Sequence, residues 1–128
     1  MELYWNPQHT MYAVLVSQGY GAGWSSWNSY KEIAYDRRVI EWYIERNSTL
    51  YAYDLTSSTP NDPIHEEADA FFSSLGYIDI YFGGFRADML QWVPANKPWR
   101  IHEYDGSESI EYLDMKEWIS FGPPTTNE

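Results

Sequence analysis

The dipeptide Asp105-Gly106 is the feature that most restricts what this chain can fold into. Both positions of a two-residue β-turn require a positive φ angle, and Asp-Gly is among the pairs most strongly preferred there. The segment WRIHEYDGSESIEYLDMKEWISF therefore predicts an antiparallel hairpin that turns at these two residues. A chain that also contains helical patterns must then combine helices with antiparallel strands.

Two segments carry helical patterns. Residues 30–47 have large apolar side chains at near-helical spacing, with Asn28 or Ser29 as the candidate N-cap. A second helix begins at Pro63, with the aspartate before it as the cap, and ends at Gly76. Its predicted apolar face consists of Ile64, Ala68, Phe71, Phe72 and Leu75.

Apolar runs bounded by turn residues predict strands at 12–18, 77–82 and 88–94, with a short candidate strand at 50–55. The helices and strands do not alternate regularly along the chain. We therefore predict an α+β fold with two helices and a largely antiparallel sheet of about five strands.

Length and composition favour one small domain. The chain has 128 residues, a mass of 15.1 kDa and 44% apolar residues, which suffices for one core over residues 1–128. Residues 122–128 are expected to form a frayed tail. Neither a membrane-spanning run nor a secretory leader is recognisable, so we expect an intracellular protein without membrane contact. The absence of cysteine excludes disulfides and thiolate zinc sites.

The charge and the aromatic content are both unusual. A net charge of -11 and a pI near 4.5 repel nucleic acids and anionic membranes and favour a basic partner or simple solubility. The 7 Trp, 12 Tyr and 5 Phe residues are too many to bury completely in one small core. Some of these rings should therefore line a pocket, a partner surface or the interface of a homo-oligomer.

A glycine-rich loop follows the first predicted strand in LVSQGYGAGWSSWNSYKE, residues 15–32. It is not a dinucleotide fingerprint, because Trp24 stands where a third glycine is needed, and no Walker A motif is present. Glycines still let backbone N–H groups approach an anion, while hydroxyl, amide and indole groups can fix and stack a ring. The candidate ligand-binding residues of this loop are Gly19, Tyr20, Gly21, Gly23, Trp24, Ser25, Ser26, Trp27 and Asn28. The alternative is a plain strand-to-helix connection whose tryptophans lie in the core.

Other chemical motifs are weak. Arg37 and Arg100 are the candidates to bind a phosphate group. The three histidines are scattered, and DGSESIE fits a hairpin turn better than a calcium loop, so we expect neither a metal nor another cofactor. No nucleophile motif or distinctive acid-base pair is present, so we expect a protein that is not an enzyme.

Two stretches, VLVSQGYGAGWSSWN and WRIHEYDGSESIE with WVP just before it, resemble a group of small uncharacterised bacteriophage proteins. Those proteins typically carry a basic residue at the position of Gln18. The resemblance implies a phage origin, an α+β fold and a location in the cytoplasm of the infected bacterium. Because small accessory phage proteins often act against host immunity, it also implies a counter-defence role.

Two functions follow from these expectations. The first is a non-enzymatic protein that sequesters a small anionic, ring-containing ligand, such as a nucleotide-derived immune signal of the host. The second is an acidic inhibitor that docks on a basic host protein, in the manner of a nucleic-acid mimic. Its carboxylates would come from the second helix and the hairpin, at Glu66, Glu67, Asp69, Glu103, Asp105, Glu108 and Glu111.

Overall fold

The computed structural model describes residues 1–48, 62–112, 119 and 121–123. Within these ranges, α-helices and paired strands contain nearly equal numbers of residues. The helices are α1 (Arg37–Ser48) and α2 (Pro63–Ser74), preceded by two short 3-10 helices at Ser25–Trp27 and Lys31–Ala34. The strands are β1 (Met11–Leu15), β2 (Leu90–Pro94), β3 (Trp99–Tyr104) and β4 (Ser107–Tyr112). The candidate strand at 50–55 and residues 124–128 of the predicted tail lie outside the described residues.

The strands form two antiparallel pairs. β1 pairs with β2, and β3 pairs with β4, so the described part of the chain has two sheets of two strands each. The predicted α+β class is confirmed, but the prediction of one sheet of about five strands is wrong. The hairpin prediction is confirmed as well, because Asp105 and Gly106 form the turn with φ angles of 51° and 86°.

Residues 77–82, predicted as a strand, are not one. Asp79 has a left-handed φ of 58°, which interrupts the extended backbone. The side chain of Asn28 also hydrogen-bonds to the main chain of Tyr81. It accepts the N–H at 2.8 Å and donates to the carbonyl at 2.9 Å. These contacts replace those of a neighbouring strand.

Helix α1 begins seven residues later than the sequence pattern predicts. The Oδ1 atom of Asp36 accepts the N–H of Arg38 at 2.9 Å, which is the geometry of an N-cap. Neither Asn28 nor Ser29 caps this helix. The residues before Asp36 form the 3-10 helix at Lys31–Ala34 and bury Ile33.

Helix α2 agrees closely with its prediction. Pro63 is its first residue, and Gly76, with a φ of 93°, follows its C-terminal turn. Ala68 and Phe72 are fully buried, whereas Phe71 is half-buried and stacks on an aromatic ring of α1. The apolar spacing of 3.6 residues correctly identifies the face that packs against the rest of the protein.

The core consists of two clusters that lie on opposite faces of β1. Ala13 and Leu15 contact the cluster formed with α1 and α2, whereas Tyr12 and Val14 contact the cluster that contains Trp99. Because side chains alternate along a strand, one short strand can serve both clusters. Trp99, the first residue of β3, is thereby packed in the core beside β1.

Candidate functional site

The glycine-rich loop, residues 17–28, is packed against the tip of the β3–β4 hairpin. The N–H of Gly21 donates to the carbonyl of Asp105 at 2.8 Å, and the N–H of Glu108 donates to the carbonyl of Ser17 at 2.6 Å. Gly106 lies so close to the main chain of Ala22 that a Cβ atom would collide with it. The packing of the loop against the hairpin therefore depends on the backbone conformation of both segments.

The loop holds an anion, and that anion is the carboxylate of Glu108. Its Oε1 accepts the N–H of Ser17 at 2.8 Å, and its Oε2 accepts those of Trp24 and Ser26, both at 2.9 Å. The hydroxyl of Ser26 also donates to Oε2. Only 1% of Glu108 is exposed, so these four donors replace the water that a buried carboxylate requires. Successive N–H groups in such a loop form an anion-binding concavity.

The two tryptophans of the loop have different environments. Trp24 is fully buried and packs edge-on against Phe85, with ring centroids 4.9 Å apart. Trp27 is 46% exposed and stacks on Tyr81 at a centroid distance of 5.9 Å. Trp24 is therefore a core residue, and Trp27 is the ring of this pair that solvent can reach.

The other candidate residues of the loop have separate environments. Tyr20 is 71% exposed beside the hairpin tip, and Gly19 lies under the guanidinium of Arg86. Gly23 packs against the side chains of Ser26 and Trp27. The remaining glycine, at position 21, has a φ of 101° and makes the contact to the hairpin turn.

The two candidate arginines, Arg37 and Arg100, do not lie beside the same site. Arg37 is on α1, where its Nε lies 3.1 Å from a carboxylate oxygen of Glu41. Arg100 is on β3, with its Nε 3.1 Å from a carboxylate oxygen of Glu111. Arg100 alone borders a cavity together with residues of the glycine-rich loop.

That cavity, here named the β3 cleft, has a volume of about 600 Å³. It is lined by Ser25, Ser26, Lys31 and Tyr35, together with residues 99–103 of β3 and Ile119. The hydroxyl of Ser25 is buried and has no hydrogen-bond partner among the described residues. The structure thus brings three of the predicted site residues, Ser25, Ser26 and Arg100, to one cleft.

Basic, acidic and hydrogen-bonding groups line the β3 cleft, because Glu103 lies there as well as Lys31 and Arg100. Lys31 makes no salt bridge within the described ranges, and the Nδ1 of His102 lies 3.4 Å from Glu111. Burial, reinforced by the charge of Glu32, raises the pKa of Tyr35, so its phenol stays neutral and keeps a proton to donate. The cleft can therefore bind an anionic group and hydrogen-bond a planar one.

Several residues of the cleft were not identified from the sequence. Lys31 and Tyr35 belong to a segment that reads as regular helix, in which neither residue stands out. Trp99 and His102 belong to a hairpin strand with no binding motif. No local signal in the sequence identifies these residues as parts of one site.

Comparison with protein-family models, with curated proteins and with solved structures finds no match to this chain. Within residues 1–48 and 62–112, no group of three or more His, Asp or Glu side chains could hold a metal ion. No helix in the described part of the chain has the length and apolarity needed to cross a bilayer.

Proposed function

We propose that this protein binds and sequesters a small anionic, ring-containing ligand in the β3 cleft, without acting as an enzyme. The observation that carries the proposal is the cleft itself, because it brings Lys31, Arg100 and His102 together in a chain with a net charge of -11. The whole sequence has only 8 Lys and Arg residues, and two of them, Lys31 and Arg100, line this one cavity, which favours an anion there.

Size and chemistry support a nucleotide-like ligand. Cavities of about 300 to 1,000 Å³ are typical of small-molecule sites, and the β3 cleft falls in that range. Lys31 and Arg100 suit a phosphate group, while the neutral phenol of Tyr35 and the hydroxyl of Ser25 suit the polar atoms of a ring or a sugar.

In this proposal the main chain of the glycine-rich loop does not bind the phosphate of the ligand, in contrast to the sequence-based hypothesis. The N–H groups that would have bound a ligand phosphate are occupied by Glu108. The ligand is therefore assigned to the neighbouring cleft, which Ser25 and Ser26 of the loop help to line. The loop then acts as the rigid wall of the site.

The resemblance to phage proteins supports a biological role for such binding. A phage protein that sequesters a nucleotide-derived signal in the cytoplasm of the infected bacterium would silence the host immunity that depends on that signal. This role requires affinity for the ligand and no catalysis.

The direct test is calorimetric titration with AMP, GMP, cyclic AMP, cyclic di-AMP and inorganic phosphate. Lys31→Ala should weaken the tightest of these interactions about tenfold, because a charged hydrogen bond to phosphate is lost. Arg37→Ala is the matched control, since that exposed cation pairs with Glu41 outside the cleft. No binding by any of the five anions, or equal losses in the two variants, would contradict the proposal.

Docking on a basic host protein is a second proposal, supported by the exposed carboxylates of Glu66 and Asp69 on α2. The hairpin offers less, because Glu108 is buried and Glu111 contacts Arg100. The double variant Glu66→Lys with Asp69→Lys should lose such docking and keep nucleotide binding. Lys31→Ala should have the opposite effect.

A further inference from the structure

At the outer edge of β3, beside the β3 cleft, some main-chain groups have no hydrogen-bond partner among the described residues. In the hairpin, Tyr104 and Ser107 close the turn, so the hydrogen-bonded pairs with β4 fall at residues 104, 102 and 100. The N–H and C=O groups of Trp99, Ile101 and Glu103 must then point away from β4. Trp99 confirms this orientation, because it exchanges hydrogen bonds of 2.8 and 2.9 Å with Ile119 on that side.

The next two outward positions have no such partner in the part of the chain that the structure describes. Neither Ile101 nor Glu103 makes a main-chain hydrogen bond across this edge to any of the described residues. Consecutive residues 99–103 all line the cleft, as expected where the edge of a strand, and not one face, borders a cavity. The carbonyl of Ile101 and the N–H of Glu103 thus form an adjacent acceptor and donor at the cleft.

An adjacent donor and acceptor is also the pattern on the Watson–Crick edge of a nucleobase. We propose that the outer edge of β3 reads the base of the ligand through the carbonyl of Ile101 and the N–H of Glu103. This inference rests on the proposed function and narrows its ligand to a phosphate that carries a nucleobase. Lys31, which makes no salt bridge within the described ranges, lines the same cleft and is the candidate to bind the phosphate.

An added peptide strand would use the same edge, but the available length disfavours it. Ile119 already occupies the edge at Trp99, and the turn at Asp105 ends it, which leaves two outward-facing residues. Strands are usually about 3 to 10 residues long, so a peptide would gain few hydrogen bonds here. A planar base needs only two.

The first test compares four probes: AMP, 7-deaza-AMP, N6,N6-dimethyl-AMP and ribose 5-phosphate. AMP and 7-deaza-AMP have the same Watson–Crick edge and should bind alike. The dimethylated nucleotide lacks the donor, and the sugar phosphate lacks the whole base. Both should bind at least about tenfold more weakly than AMP. Equal binding of all four would overturn the base-reading inference and leave the anion-binding proposal intact. Binding of none of the four would overturn the base-reading inference, and the anion-binding proposal would fall with it if GMP, cyclic AMP, cyclic di-AMP and inorganic phosphate also fail to bind.

The second test removes the N–H of residue 103. Proline is tolerated where a strand N–H points away from its ladder, so Glu103→Pro deletes the outward donor while β4 stays paired. Glu103→Ala is the matched control, because it also removes the carboxylate that accepts the N–H of Gly106. Glu103→Pro should bind AMP about tenfold more weakly than Glu103→Ala, with ribose 5-phosphate unaffected. Equal AMP affinities in two folded variants would overturn the inference.

Amide NMR distinguishes the ligand from other occupants of this edge. Addition of AMP should shift the N–H signals of Ile101 and Glu103, while dilution of the free protein should not. Shifts that follow protein concentration in the absence of AMP would mean that a second copy pairs with the edge, and they would overturn the inference. This measurement and the probe series both use the unmodified chain, so the outcome does not depend on whether the proline variant folds.

Discussion

At the scale of single residues, the central contact is the carboxylate of Glu108 inside the glycine-rich loop. A buried carboxylate is costly unless it is hydrogen-bonded, and here three N–H groups and one hydroxyl donate to it. The same contact connects parts of the chain that lie 82 to 91 residues apart. One side chain thus joins the first strand's loop to the last hairpin.

Glu108→Ala should lower the free energy of unfolding by about 2 to 4 kcal/mol, because three buried N–H groups would lose their acceptor. Glu111→Ala is the matched control, since that glutamate is on the same strand and its contacts are at the surface, worth about 1 kcal/mol or less. Urea denaturation of both variants measures the difference. A loss below about 1 kcal/mol for Glu108→Ala would show that the loop does not depend on this carboxylate.

The limits of sequence reasoning are clearest at this scale. Nothing local distinguishes Trp24 from Trp27, yet one is fully buried and the other 46% exposed. Trp24 packs against the buried rings of Phe72 and Phe85, whereas Trp27 stacks on the exposed ring of Tyr81. Glu108 likewise looks like any surface acid of a polar strand. Burial of such residues is decided by distant partners, which local spacing does not reveal.

At the scale of secondary-structure elements, local signals perform well where they concern caps, turns and apolar periodicity. Pro63, Gly76 and the Asp105-Gly106 turn all mark ends that the structure confirms. Residues 77–82 have the alternation of a strand but no strand beside them, because Asn28 takes the main-chain groups of Tyr81. A strand needs a partner, and partners are not visible in a local pattern.

Gly106→Val should destabilise the docked hairpin by about 2 kcal/mol or more, since a β-branched residue tolerates a φ of 86° badly and its Cβ would collide with Ala22. Asp105→Asn serves as the control, because asparagine accepts the left-handed conformation and should change stability by about 0.5 kcal/mol or less. Thermal unfolding compares the two. An unchanged Tm for Gly106→Val would contradict the packing of the turn against the loop.

The cap of α1 gives a prediction about pH. Burial alone would raise the pKa of Asp36, but hydrogen bonds from Arg38 and Tyr77 outweigh it and hold the pKa below its ordinary value of 3.8. A carboxyl with a lowered folded-state pKa stabilises the fold fully above the unfolded value, and this stabilisation is lost as pH falls through the folded value. Asp36→Asn should therefore cost about 2 kcal/mol at pH 7, and the gap should narrow below pH 3.8. A gap that stays constant down to pH 2 would argue against the ionised cap.

At the scale of the whole molecule, the net charge of -11 opposes the compact state through self-repulsion. Raising NaCl from about 0.05 to about 0.5 M should increase the Tm by a few degrees, because the screening length falls to a few ångströms. Near the pI of about 4.5 the same salt change should have little effect. A Tm that falls with salt at pH 7 would mean that attractive ion pairs outweigh the repulsion.

The long-range carboxylate contact also bears on how the chain folds in time. A two-residue hairpin can close early, whereas joining residues 82 to 91 positions apart requires closing a large loop and should come late. The docking of Glu108 should then form after the transition state, so Glu108→Ala should accelerate unfolding and leave the refolding rate nearly unchanged. Chevron analysis tests this, and a slowed refolding arm would mean that the two ends of the chain meet early. If docking is late, the hairpin tip is also the first part to detach from a folded molecule, which makes it the natural starting point for proteolytic attack.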